Sequence, residues 1–129
     1  MPTLITKRFH FESGHWLPNV PEGHKCRRHH GHNYKLEVTI SGSPLSSGFL
    51  IDFFDLDKIV NPIIAEVDHR MLNDIPGLEN PTAELIGRWF LQRLRGAASF
   101  ENPTCWISSI RVYETDECWA DVTSGGESH

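Results

Sequence analysis

The stretch Cys26-x-x-x-His30-Gly-His32 places two imidazoles two residues apart with a thiol just upstream. On an extended strand such a pair points to one face and can converge on one ion. Both histidines share their parity with Tyr34 and Leu36, so they should look toward the apolar side of their strand. A third ligand must come from elsewhere. His15, expected just past the end of an earlier strand, would arrive beside them if the two strands pair antiparallel. The chain carries eight histidines; His10, His24, His29 and His129 are left without a role, and the parity of His29 turns it away from the pair.

Three nitrogen ligands and an open position describe a catalytic metal, whereas four closed ligands describe a structural one. Cys26 bears on that choice. As a fourth ligand it would complete a structural Cys-His-His-His site. As a free thiol among Lys25, Arg27 and Arg28 it would lose its proton more readily and act as base or nucleophile. The spacing leaves both open. Asp68-His69 is a second candidate, since a carboxylate can fix a histidine's tautomer and help it carry protons. Neighbours on a regular helix do not face each other, so a working pair must sit where the preceding helix gives way to loop. Glu114 keeps the parity of Ile110 and Val112 and should face inward, where a carboxylate needs a partner: Arg111 or Arg88, or a ligand with paired N–H donors.

These residues need a scaffold. Polar and apolar residues alternate over Thr3–Glu12 and again over Tyr34–Ser41, which predicts two strands. Asp52 precedes Phe53, Leu56, Ile59, Val60, Ile63, Ile64 and Val67 at helical spacing, with Pro62 inside the pattern, so the helix should kink or stop early. A second helix follows over NPTAELIGRWFLQRLRG, with Asn80 as cap, Pro81 at the first position and Gly96 as stop. CWISSIRVYET and ECWADVT then form a hairpin turning near Thr115–Glu117, and the tail SGGESH reads as frayed. The order is ββααββ, an α+β fold with an antiparallel sheet and two helices on one face, in a single domain spanning residues 1–129.

A chain of 129 residues can bury roughly two thirds of its unfolded surface without staples. Its net charge of -5 argues against a general nucleic-acid binder. Three cysteines, an odd number, favour a reducing compartment over a disulfide framework. No segment has the apolar length of a signal peptide core or a membrane span, so the expected location is cytoplasmic.

Together these residues resemble the 6-pyruvoyltetrahydropterin synthase family, and more closely its bacterial queuosine-pathway branch, the 6-carboxy-5,6,7,8-tetrahydropterin synthases. The likeness runs through FHFESGH, LPNVPEGHKCRRHHGHNY, GFLIDFFDL, VDHRMLNDIPGLENPTAE and VYET. It implies the tunnelling fold, whose sheets close into an oligomeric barrel, commonly a homohexamer built as a dimer of trimers with active sites between subunits. It implies Zn2+ on His15, His30 and His32, Cys26 as catalytic base, Asp68 and His69 as proton relay, and Glu114 as pterin anchor. Thr82 matches a pocket-lining position, and Lys25 with Arg27 and Arg28 could meet phosphates. The implied reaction turns 7,8-dihydroneopterin triphosphate into 6-carboxy-5,6,7,8-tetrahydropterin, acetaldehyde and triphosphate. Elimination of triphosphate to the pyruvoyl product, or a non-enzymatic zinc module with Cys26 on the metal, are the other readings. Trp16, directly after the first ligand, is bulkier than the family pattern and bears on the shape of the pocket mouth.

Overall fold

Both N-terminal strands run further than the apolar alternation indicates. In the computed structural model, which describes residues 2–124, β1 spans Thr3–His15 and β2 spans His30–Gly42. The tail from residue 125 on, His129 included, lies outside the described residues. The extra residues, Ser13, Gly14, Gly31 and Asn33 among them, carry no hydrophobic signal, yet the backbone ladder continues through them. The antiparallel register runs unbroken from Thr3↔Gly42 to His15↔His30. His15 is therefore the last residue of β1 rather than a residue beyond it, and it lies directly opposite His30.

Two further strands, β3 (Trp106–Thr115) and β4 (Cys118–Thr123), complete one antiparallel sheet in the order β1-β2-β3-β4. The hairpin turns where expected. Helix α1 covers Phe53–Ile64, and Asp52 caps it by accepting the Phe54 N–H at 2.9 Å. Pro62 falls in its last turn, and Val67, though buried, lies past its end. Helix α2 covers Ala83–Ala97. Its cap is Thr82, whose Oγ1 accepts from the Leu85 N–H at 3.2 Å, so the expectation of Asn80 as cap with Pro81 inside the helix is wrong by two residues. The Pro81 carbonyl is engaged elsewhere, as described below. The helix also passes Gly96 by one residue, because Gly96 does not take the left-handed conformation with which a glycine ends a helix.

The core lies between the sheet and the helices. Tyr34, Leu36, Val38 and Ile40 of β2 and Ile107, Ile110 and Val112 of β3 meet Leu56, Val60 and Ile63 of α1 and Ile86, Phe90 and Leu94 of α2. Each such large side chain contributes about 1.5–3 kcal/mol by leaving water. This is the α+β arrangement expected from ββααββ. No helix among the described residues is long and apolar enough to cross a membrane.

Helix α2 presses closely on the hairpin at Gly87, where an added Cβ would stand 2.7 Å from Cγ2 of Val122 on β4. Valine has little rotamer freedom with which to yield. Gly87→Ala should therefore destabilise the fold by about 1–3 kcal/mol through overpacking, despite alanine's better helix propensity. Urea denaturation would check this; a stability gain would show that the helix can lift away without cost.

Candidate metal centre

The register that pairs His15 with His30, and the parity that aligns His32 with Tyr34, bring three imidazoles to one end of the sheet. One ligand atom from each of His15, His30, His32 and Glu114 lies within 4.8 Å of all the others. His15 is buried; the other three are half-buried. Glu114 reaches the group because it keeps the parity of Ile110 and Val112 on β3, at the point where the β3–β4 register shifts between Tyr113 and Thr115. Its Oε1 lies 3.0 Å from His32 Nε2 and 3.3 Å from His15 Nε2. Neither arginine expected as its partner takes that place, and Arg111 pairs with Asp121 on the opposite face instead.

Two backbone carbonyls orient the rings. His15 Nδ1 lies 2.8 Å from the Pro81 oxygen and His30 Nδ1 lies 2.7 Å from the Arg28 oxygen. A carbonyl only accepts, so both Nδ1 atoms must carry hydrogen and both Nε2 atoms of the neutral rings present lone pairs. Those two Nε2 atoms stand 2.9 Å apart. Facing lone pairs at that distance need a cation between them, a proton or a metal ion. His32 Nε2 adds a third: it is buried with no hydrogen-bond partner, since Glu114, though near, lies off the bonding direction. Burial holds the pKa of His32 below the usual histidine value, with His15 and His30 adding to the effect and Glu114 opposing it. A neutral ring is the form that ligates. The Glu114 carboxyl is held below its ordinary range chiefly by the adjacent His15 imidazole, with His32 and His30 adding to the effect and burial opposing it. Three imidazole nitrogens and a carboxylate oxygen, with carbonyls behind two of the rings, are a donor set suited to a divalent ion of the zinc type.

Cys26 is not in this group. It sits half-buried on a short 3-10 turn, Lys25–Arg27, whose C-terminal neighbour Arg28 supplies the carbonyl that holds His30. Thiol and ligand thus share one loop. Arg27 spends its guanidinium on the carbonyls of Pro18 and Val20, whereas Lys25 and Arg28 are exposed and form no ion pair among the described residues. Trp16 stacks on His29 at a centroid distance of 5.7 Å, which occupies that otherwise unassigned histidine. Beside Glu114 opens a hollow of about 400 Å³ lined by Ala83, Glu84, Cys118, Trp119 and Ala120.

Asp68 and His69 lie past the end of α1, as their chemistry required. Asp68 Oδ1 is 3.0 Å from His69 Nδ1 and also accepts the Glu12 N–H at 2.9 Å. His69 adopts φ of 57°, a left-handed conformation uncommon for a non-glycine, and its N–H donates to the Glu12 carbonyl at 2.5 Å. Its Nε2 faces Glu12 Oε2 at 3.2 Å. The ring's contacts run to Asp68 and Glu12, and none reaches the three-histidine group. The bond to Asp68 is the main cause of a raised His69 pKa. The Asp68 carboxyl is lowered, first by the Glu12 N–H and then by His69. A raised histidine pKa stabilises the fold below about pH 6.5, and that contribution vanishes as pH rises through the folded value. Exposure keeps it small. Asp68→Asn should bring the His69 titration, followed by NMR, down toward about 6.5; an unchanged midpoint would assign the raised value to Glu12 alone.

The carbonyls of Pro81 and Arg28 left no mark in the sequence, because any residue supplies one. Tyr34, whose hydroxyl lies 3.1 Å from His15 Nδ1, could have been found from the parity it shares with His30 and His32.

Comparison with known proteins places these features. Residues 4–125 match the profile of a family described as 6-pyruvoyl tetrahydropterin synthase. A 6-carboxy-5,6,7,8-tetrahydropterin synthase of Synechocystis sp. is 39% identical over 118 residues, covering 87% of this chain and 86% of that protein. A dihydroneopterin monophosphate aldolase of Pyrococcus furiosus is 42% identical over 95 residues, covering 74% and 77%. Among solved structures, the Caenorhabditis elegans 6-pyruvoyl tetrahydropterin synthase superposes with a TM-score of 0.85 over 97% of both chains at 20% identity, a likeness of fold.

Proposed function

The chain is an enzyme of the 6-pyruvoyl tetrahydropterin synthase family, and on that premise we propose that it converts 7,8-dihydroneopterin triphosphate and water to 6-carboxy-5,6,7,8-tetrahydropterin, acetaldehyde and triphosphate, in queuosine biosynthesis. The observation that carries this reading is the convergence of three Nε2 lone pairs beside Glu114, with Cys26 on the same loop but outside the group. The name of the Synechocystis relative supports it.

Zinc bound to His15, His30 and His32 would supply Lewis acidity toward the oxygens of the substrate side chain. The protein's own residues do the rest. Cys26 accepts a proton from carbon as the base. His69, whose pKa Asp68 raises, returns one. Glu114 accepts the paired N–H edge of the pterin, whose ring fills the adjoining hollow. Thr82 accepts from the Leu85 N–H and keeps its own hydroxyl hydrogen for a pocket partner. Lys25 and Arg28, free of ion pairs among the described residues, meet the triphosphate. Because His69 makes no contact with the histidine group of its own chain, the relay serves the site of a neighbouring copy. The assembly proposed is a cytoplasmic homohexamer, a dimer of trimers in which the open edges of β1 and β4 pair between copies.

The Pyrococcus relative favours a second reading, retro-aldol cleavage of the dihydroneopterin monophosphate side chain. Incubating the purified zinc-loaded protein with each phosphate ester and identifying products by mass spectrometry separates the possibilities. Acetaldehyde with the carboxypterin from the triphosphate is expected. The pyruvoyl product, or turnover of the monophosphate alone, would overturn the assignment.

Glu114→Gln tests the pterin grip. Loss of a charged hydrogen-bond acceptor costs about 1.5–3 kcal/mol, so KM should rise roughly 10- to 150-fold while zinc stays bound. Zinc loss in this variant would make Glu114 a ligand instead.

A further inference from the structure

His15 closes β1, and no ladder bond holds the peptide that follows it. A side chain does so instead. Asn73, on the 3-10 turn Leu72–Asp74, accepts the Trp16 N–H on Oδ1 at 3.0 Å and donates from Nδ2 to the Trp16 carbonyl at 2.8 Å. The two contacts fix the amide's orientation, since one demands an acceptor and the other a donor. Nδ2 also points to the Glu79 carbonyl at 3.4 Å, and the Glu79 carboxylate accepts the Gly77 N–H at 2.8 Å, so the turn from Asn73 to Glu79 is closed on itself. Two residues later comes Pro81, whose carbonyl holds the His15 ring.

We propose that Asn73 is a positioning residue for the metal ligand His15. Its amide fixes the ligand's main chain at Trp16, and by closing the Asn73–Glu79 turn it sets the Pro81 carbonyl against the ring. Backbone and imidazole of His15 are thereby aimed from one segment. The inference rests on the metal reading above and concerns aim, not donation, since Asn73 lies outside the group of four donors.

The test is zinc affinity of the folded protein, measured by competition with a chromophoric chelator, in the parent, Asn73→Ala and Asn73→Gln. Glutamine keeps the amide but displaces it by one methylene. Losses behind a metal ligand are expected to cost roughly 10- to 100-fold in affinity, and both variants should show this with faster hydrogen exchange at the Trp16 amide. Ile63→Val, a core truncation on α1, should lower stability without changing zinc affinity, which separates aim from general loosening. If alanine prevents folding, the glutamine variant decides. Unchanged affinity in a folded Asn73 variant overturns the proposal. So does failure of both to fold, which would make Asn73 a determinant of the fold. A parent chain that binds no zinc overturns the metal reading along with it.

Discussion

A chain carrying His30→Ala should lose zinc and, with it, all measurable turnover. Four-ligand zinc sites bind with about 10–16 kcal/mol, so one ligand accounts for about 3 kcal/mol and its loss for more than 100-fold in affinity. The metal-free state should respond the other way. Without an ion, His15 and His30 hold two Nε2 atoms 2.9 Å apart, and removing one ring relieves that opposition. Zinc-free His30→Ala is therefore expected to unfold no more readily than the zinc-free parent, while the parent alone gains stability on adding zinc. Metal analysis by mass spectrometry and paired thermal melts would decide this. A variant that keeps one zinc per chain and its activity would show that these histidines are not the ligands. Acid should act like the mutation, since protonated imidazole does not ligate; affinity is expected to fall below about pH 6.5, and burial holds the His32 pKa below the usual histidine value.

Cys26→Ala should do the reverse, leaving zinc and fold intact while turnover drops by about 10²- to 10⁴-fold, the usual worth of a positioned base. The turn that carries Cys26 is held by main-chain bonds: Arg27 N–H to His24 O, Leu17 N–H to Cys26 O, and Cys26 N–H to His24 Nδ1. None uses the sulfur, so alanine can keep the turn and the Arg28 carbonyl behind His30. Zinc content, circular dichroism and product formation measured on one preparation give the answer. Zinc loss with unfolding would place the thiol on the metal and revive the structural-site reading.

Parity made much of this arrangement legible. His30, His32 and Tyr34 on one strand, and Glu114 in line with Ile110 and Val112 on another, face the core because side chains alternate. What parity could not foresee was the reach of the strands. Ser13, Gly14 and Gly31 carry no apolar pattern, so the ladder joining His15 to His30 lay hidden in residues that read as loop. The helix start was missed for a related reason. Asn80 and Pro81 fit a capping pattern locally, but the Pro81 carbonyl is committed to His15, and that long-range bond outweighs local preference. Asp68-His69 could be assigned to the helix exit. The left-handed turn at His69 and its bonds to Glu12 depend on the edge of β1, 56 residues earlier in the chain for the Glu12–Asp68 pair, and no local rule reports them.

Helix α2 is tied to the elements that carry the metal group on two sides. Its N-terminal approach carries the carbonyl behind His15, and Gly87, one turn in, lies against the hairpin whose other strand bears Glu114. On the metal reading, the helix would work as a strut whose seating is coupled to retention of the ion. By mass action, an ion present at a thousand times its Kd would stabilise the folded domain by about 4 kcal/mol. Chelation would then become a handle on the stability of the domain as well as on its chemistry.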